Sequence, residues 1–193
     1  EDYLLEYLQT ELGCFDADAI LSHELLLYDT QAPALVGLRK QFISSARLDN
    51  LLSCFVALHA LIEGKDETAS VLVFNDHEEV GSVSASGAEG PFLKSVLQRM
   101  LESEDKAGGS SAASFDRAIQ NSVLLSVDNA HGVHPNFSDK HDSAHSPKLN
   151  AGPVIKINAN QRYASNSESI ALLKSICNRL DIGHQSFVMR SDM

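Results

Sequence analysis

The chain has 193 residues, 44% hydrophobic and 21% charged, with a formal net charge of −11. That length allows one good core, or one domain with an attached piece, and the composition is that of an ordinary globular protein. The acidic balance argues against nucleic acid and against an anionic membrane surface as partners, because both call for basic surface.

No signal peptide opens the chain and no apolar run approaches the length of a membrane span, so a cytoplasmic location is expected. The three cysteines, Cys14, Cys54 and Cys177, are widely spaced and form no Cys-x-x-Cys pair. Cys54 and Cys177 fall within helical apolar patterns and read as buried reduced thiols. The chain begins at Glu1 inside an amphipathic pattern, without an initiator Met. It stops at Met193 just as a strand-like run finishes, so it reads as a fragment of a larger protein.

Leu4, Leu5, Leu8 and Leu12 recur at helical spacing, with Gly13 as the C-terminal cap. Asp16 is placed to cap a second short helix, and Glu24–Tyr28 reads as a strand that ends in a turn before Pro33. From Asn50 to Ile62 the residues are apolar nearly all round, which predicts a buried helix with Asp49 at its N-cap and Gly64 at its end. His59, inside it, reads as a hydrogen-bonded core histidine.

Ala69–Phe74 has the β-branched, apolar character of an interior strand. A Gly/Ser-rich loop, 81–90, precedes a helix from about Pro91 to Leu101. The stretch 104–114 is the one flexible-looking segment, and Phe115–Asn121 reads as helix. Val123–Val127 and Pro153–Ile157 read as interior strands, a helix begins at Ser167 or Ser169 and runs to about Leu180, and Phe187–Met189 is a final strand. Strands alternating with helices predict an α/β fold, a three-layer sandwich around a central, mostly buried sheet.

Acidic residues stand at the ends of these runs. Asp49 lies at a helix start, Glu78 and Glu79 follow one strand, and Asp128 follows another. The carboxyl edge of an open α/β sheet is where chemistry gathers. Crowded carboxylates repel one another unless a cation neutralises them, and zinc accepts carboxylate oxygens at about 2.0–2.2 Å. One carboxylate can bridge two ions while an unligated Glu serves as general base. Taken singly, each has a plainer reading: Asp49 as a helix cap, Asp128 as a turn residue, Glu79 as a solvated loop residue, Lys156 as a solvated strand end. His134, His141 and His145 read as structural. His77 flanks the Glu pair and is placed to orient it rather than to bind metal.

Five collinear segments then carry a resemblance. Leu27–Gln31, Arg47–Leu51, Asp76–Ser82, Ser126–Asn136, and Val154–Lys156 with Gln161–Ala164 resemble the aspartyl aminopeptidase family, di-zinc metallopeptidases that remove acidic residues from peptide N-termini. The resemblance implies that Asp49 bridges two metals, that Glu79 and Asp128 each ligate one, and that Glu78 is the general base for hydroxide attack on the first peptide carbonyl. It implies that His131, Lys156 and Tyr163 contact the substrate.

Two zinc ions are the expected cofactors, with manganese or cobalt as substitutes. Peptides with an acidic N-terminal residue are the expected partners, and the family assembles dimers into a dodecamer. Residues 1–30 read as the tail of a dimerisation region and 31–193 as the core of a truncated catalytic domain. Two histidines that complete the family's metal sites have no matching segment here. Competing readings are a di-metal aminopeptidase, carboxypeptidase or deacylase of other specificity, and a non-catalytic assembly or cargo domain.

Overall fold

The computed structural model describes residues 2–13, 20–65, 68–104 and 111–189. It separates into two compact units, one up to Leu48 and one from Asp49 onward.

In the first unit, α1 (Asp2–Leu12) follows the apolar spacing of Leu4, Leu5, Leu8 and Leu12. It ends where Gly13 turns left-handed at φ 64° and its N–H bonds back to Thr10 O. The short helix expected after Asp16 falls largely outside the described residues. Glu24–Tyr28 forms no strand. The strands of this unit are instead β1 (Ala34–Val36) and β2 (Phe42–Ser44), an antiparallel hairpin pairing Leu35 with Ile43. Gly37 (φ 94°) and Lys40 (φ 55°) make its turn.

The second unit opens with α2 (Leu48–Glu63), which stops at Gly64 as expected. Asp49 keeps an extended backbone (φ −89°, ψ 109°), so the regular helix starts after it. The expectation of a buried helix is not met. Ser53 is the buried residue of α2, while Phe55 is 60% and Ile62 69% exposed. His59 is likewise no core residue, for its ring packs on Phe55 and its Nδ1 lies 3.8 Å from Glu63. The physical reason is that the expected interior strands do not form a sheet beside it. Residues 69–74 and 123–127 run without ladder partners among the described residues, and Leu124 and Leu125 are exposed.

Helix α3 (Phe92–Glu104) lies where the periodicity predicts, with Pro91 just ahead of it, whereas α4 (Ser111–Gln120) starts four residues before the expected Phe115 and takes in 111–114, read from the sequence as flexible. Most of the flexible-looking segment between them, 105–110, is outside the described residues.

The best-packed part is a β-α-β unit. Strands β3 (Val154–Ile157) and β4 (Gln185–Val188) pair in parallel, Lys156 opposite Phe187, and α5 (Ser167–Arg179) makes the crossover such a pair needs. Ile155, Cys177 and Asn158 are buried here. Asn166 caps α5: its side chain accepts from the Glu168 and Ser169 N–H groups, while Ser169 Oγ accepts from the Asn166 N–H. At the other end, Asp181 turns left-handed. Its N–H bonds to Asn178 O and the Ile182 N–H to Cys177 O, a Schellman closure built without glycine. The α/β class therefore holds, although the described sheets have two strands each.

Two connections into this unit touch. Gly152 sits at φ 90°, and a Cβ on it would fall 1.7 Å from Gly183 O. Gly152→Ala is therefore expected to destabilise the protein by more than about 1 kcal/mol in urea unfolding, with Gly13→Ala, which meets nothing within 4 Å, as the milder control.

Candidate functional site

Asp49 and Asp128 meet. The first stands at the N-terminus of α2 and the second at the end of the extended run 123–127. Two bonds tie these segments together. Ser53 Oγ donates to Asn129 Oδ1 at 2.6 Å, and Asn50 Nδ2 donates to Val127 O at 3.3 Å. The two carboxyl groups share a hydrogen bond, and the Asn129 N–H donates to them.

Their pKa values move apart. Asp49 rises, first because burial disfavours its charge, then through the hydrogen bond to Asp128 and the repulsion from it. Asp128 falls: burial pushes it up, but the hydrogen bond and charge of Lys156 outweigh that, helped by Asp49 and the Asn129 N–H. The two acids titrate as a pair, with Asp49 pushed up and Asp128 held down.

Lys156 reaches this pair from β3. Its Nζ donates to Asp128 Oδ2 at 2.7 Å and to Asn129 O at 3.1 Å, and lies 5.5 Å from the centre of the Tyr163 ring. Three of the residues singled out in the sequence, Asp128, Lys156 and Tyr163, thus stand in contact.

Glu78 and Glu79 occupy the 3-10 turn Glu78–Val80. His77 enters it left-handed (φ 59°), and the Gly81 N–H closes it on Glu78 O. The loop beyond is fastened to itself: Asp76 N–H bonds Ser86 O, Glu89 N–H bonds Ser82 O, and His77 Nδ1 lies 2.7 Å from Ser84 Oγ. Buried Gly87 allows this, since a Cβ there would lie 2.2 Å from Ser82 O. The Glu pair therefore sits on a braced loop, and His77 is one of the residues that brace it. Glu78 has a raised pKa from slight desolvation, then from the negative charges of Asp128, Glu79 and Asp49. It belongs to the same electrostatic neighbourhood, although both glutamates are exposed.

Among the described residues no three His, Cys, Asp or Glu side chains are grouped to hold a metal ion. The Asp49–Asp128 pair, with Glu78 in electrostatic reach, is what comes together. Paired carboxylates with a third acid close by are a donor set suited to a hard or borderline divalent cation, zinc included.

Beside the carboxylates lies a cavity of about 360 Å³, whose walls include His131, Lys156 and Tyr163. The register of β3 and β4 sets Lys156 beside Phe187, and His131 packs edge-on against the Phe187 ring at 5.5 Å. Lys140, His141, Asp142 and His145 line the cavity as well. His141 and His145, read from the sequence as structural, therefore line this cavity, and a polar connecting segment carries no periodicity that would reveal it. His134 behaves as expected, accepting from the Asn136 N–H through Nδ1 and packing on Phe137.

An α/β chain with an acidic centre beside a basic-walled cavity has the parts of a metallopeptidase domain, and its relatives place it. The model of the aminopeptidase I zinc metalloprotease (M18) family matches residues 1–193, and the chain belongs to that family. It is 59% identical over 179 residues to a probable M18 family aminopeptidase 2 of Ectopseudomonas mendocina, covering 93% of this chain and 40% of that protein. A probable M18 family aminopeptidase 2 of Pseudomonas aeruginosa is 55% identical over 177 residues, 92% of this chain and 39% of the relative.

Among solved structures, that of the Ape4 and Nbr1 complex matches all of the chain and 38% of its counterpart at TM-score 0.81 and 40% identity. The S. cerevisiae mApe1 dodecamer matches 97% of this chain and 43% of its own at TM-score 0.73 and 27% identity. The chain thus spans about 40% of the length of the curated relatives it matches. No helix among the described residues is long and apolar enough to cross a membrane.

Because the Ser53–Asn129 bond joins the two carboxylate-bearing segments, Ser53→Ala is expected to cost about 1 kcal/mol in urea unfolding. It should also weaken zinc binding measured by calorimetry, whereas an exposed control such as Ser143→Ala should change neither.

Proposed function

We propose that this chain carries the catalytic core of an aminopeptidase that removes acidic residues, Asp and Glu, from peptide N-termini. The observation that supports it best is the meeting of Asp49, Asp128 and Lys156 beside a cavity that His131 and Tyr163 also line. The acids suit a cation and the basic wall suits an anionic side chain.

Asp49, paired with Asp128, would bridge two zinc ions, with Glu79 on one and Asp128 on the other. The described residues would supply part of each donor set. Zinc, when bound, polarises the peptide carbonyl and makes water acidic enough to attack at neutral pH. Glu78 takes the proton of the attacking water and returns it to the leaving amine. Lys156 and His131 hold the substrate's acidic side chain, with Tyr163 as a further contact, and so fix the first peptide bond over the acids. Manganese or cobalt would fit the same oxygen-rich set.

A cytoplasmic, homo-oligomeric protein, dimers assembling into a dodecamer, completes the reading. The dodecameric mApe1 relative supports the assembly.

The test uses the full-length protein with zinc and matched peptides beginning with Asp or Leu. Release of Asp in strong preference to Leu is expected, and preference for Leu would remove the acid-binding roles of Lys156 and His131. Glu78→Gln is expected to lower kcat by about a hundredfold or more with zinc content unchanged, while Asp49→Ala should lose zinc as well. Near-normal turnover by Glu78→Gln would contradict its role as base.

A further inference from the structure

His141 is one of the cavity-wall residues that the proposed mechanism leaves unused. It follows directly on the 3-10 turn Pro135–Lys140, and its N–H bonds to Ser138 O at 3.2 Å, so the turn fixes its backbone. Its ring faces that of His131, with centroids 5.2 Å apart and planes tilted by 50°. Phe187 holds His131 from another direction, edge-on at 5.5 Å and 76°. His141 Nδ1 is closed off from solvent and has no hydrogen-bond partner among the described residues. What the ring does touch is His131. That residue is exposed and stands on a loop, so two aromatic neighbours are what select its orientation.

We propose that His141 is a positioning residue: with Phe187 it clamps the His131 imidazole so that this ring faces the substrate's side chain in the cavity. The proposal rests on the reading of His131 as a substrate contact. Aromatic pairing of this kind restricts a side chain's rotation before substrate arrives, so its loss falls on substrate binding rather than on proton transfer at Glu78.

The experiment is a double-mutant cycle in the full-length zinc enzyme, with His131→Ala, His141→Ala and the double variant assayed on both Asp- and Leu-initiated peptides. His141→Ala is expected to raise KM for the preferred peptide about three- to tenfold with kcat within about twofold. The double variant should be no worse than His131→Ala alone, because without His131 there is nothing left to position. His141→Phe, which keeps a ring and discards both nitrogens, should restore KM to within about twofold.

Additive losses in the cycle would overturn the proposal, as would a His141→Phe variant as impaired as His141→Ala, or a His131→Ala variant with unchanged KM. If the wild-type enzyme instead prefers the Leu peptide, the acid-selective reading fails alone. The cycle on that peptide still decides whether His141 and His131 act together.

Discussion

Everything in the site turns on Asp128, the one carboxylate that touches both an acid and a base. Asp49 presses a proton toward it, Lys156 offers it a positive charge, and Asn129 binds it from the backbone. Two neighbouring carboxylates, both charged, would repel, and the cost would rise as water is excluded. The arrangement lowers that cost by dividing the roles. Asp128 holds its charge against Lys156, and Asp49 is the acid that gives way. A divalent cation held between them would reverse the second choice and free Asp49 to ionise, because a nearby positive charge favours the carboxylate form. The same lysine that steadies Asp128 also faces the Tyr163 ring and the cavity. Acidic centre and basic wall are therefore two sides of one ion pair.

Local structure explains how such a pair is presented. The β3–α5–β4 unit is the packed part of the chain, with Ile155 and Cys177 inside it, so Lys156 projects from a firm strand. Strand alternation puts Lys156 on the face opposite buried Ile155, and the parallel register brings Phe187 alongside. The glutamates, by contrast, stand on a loop that is held by its own hydrogen bonds and by Gly87. The site thus joins a rigid cation to acids carried on turns and element ends, where neighbouring side chains escape the regular ladder and can be aimed together.

The sequence told some of this directly and some not at all. Periodicity located α1, α3, α5 and the later part of α4, and short apolar runs located β3 and the second half of β4, because those signals are local, while the β-branched run 69–74 forms no strand. It also placed Asp49, Asp128 and Lys156 at element ends, although spacing alone could not say that they touch. The burial of α2 and of 123–127 was misjudged for a physical reason. An apolar run states that a segment needs cover, and the cover must come from other segments. The chain spans about 40% of its relatives, and Leu124, Leu125 and Phe55 are exposed among the described residues. β1 and β2 escaped notice because three-residue strands carry almost no pattern. His141 and His145 escaped because a polar connection looks the same whether or not it lines a cavity.

The most direct test of the account is anomalous X-ray scattering at the zinc edge from crystals of the full-length protein. The account predicts two zinc peaks that share an Asp49 oxygen ligand between them, with Asp128 on one and Glu79 on the other. A single peak away from Asp49, or zinc bound with Asp49 and Asp128 still paired to each other, would contradict it.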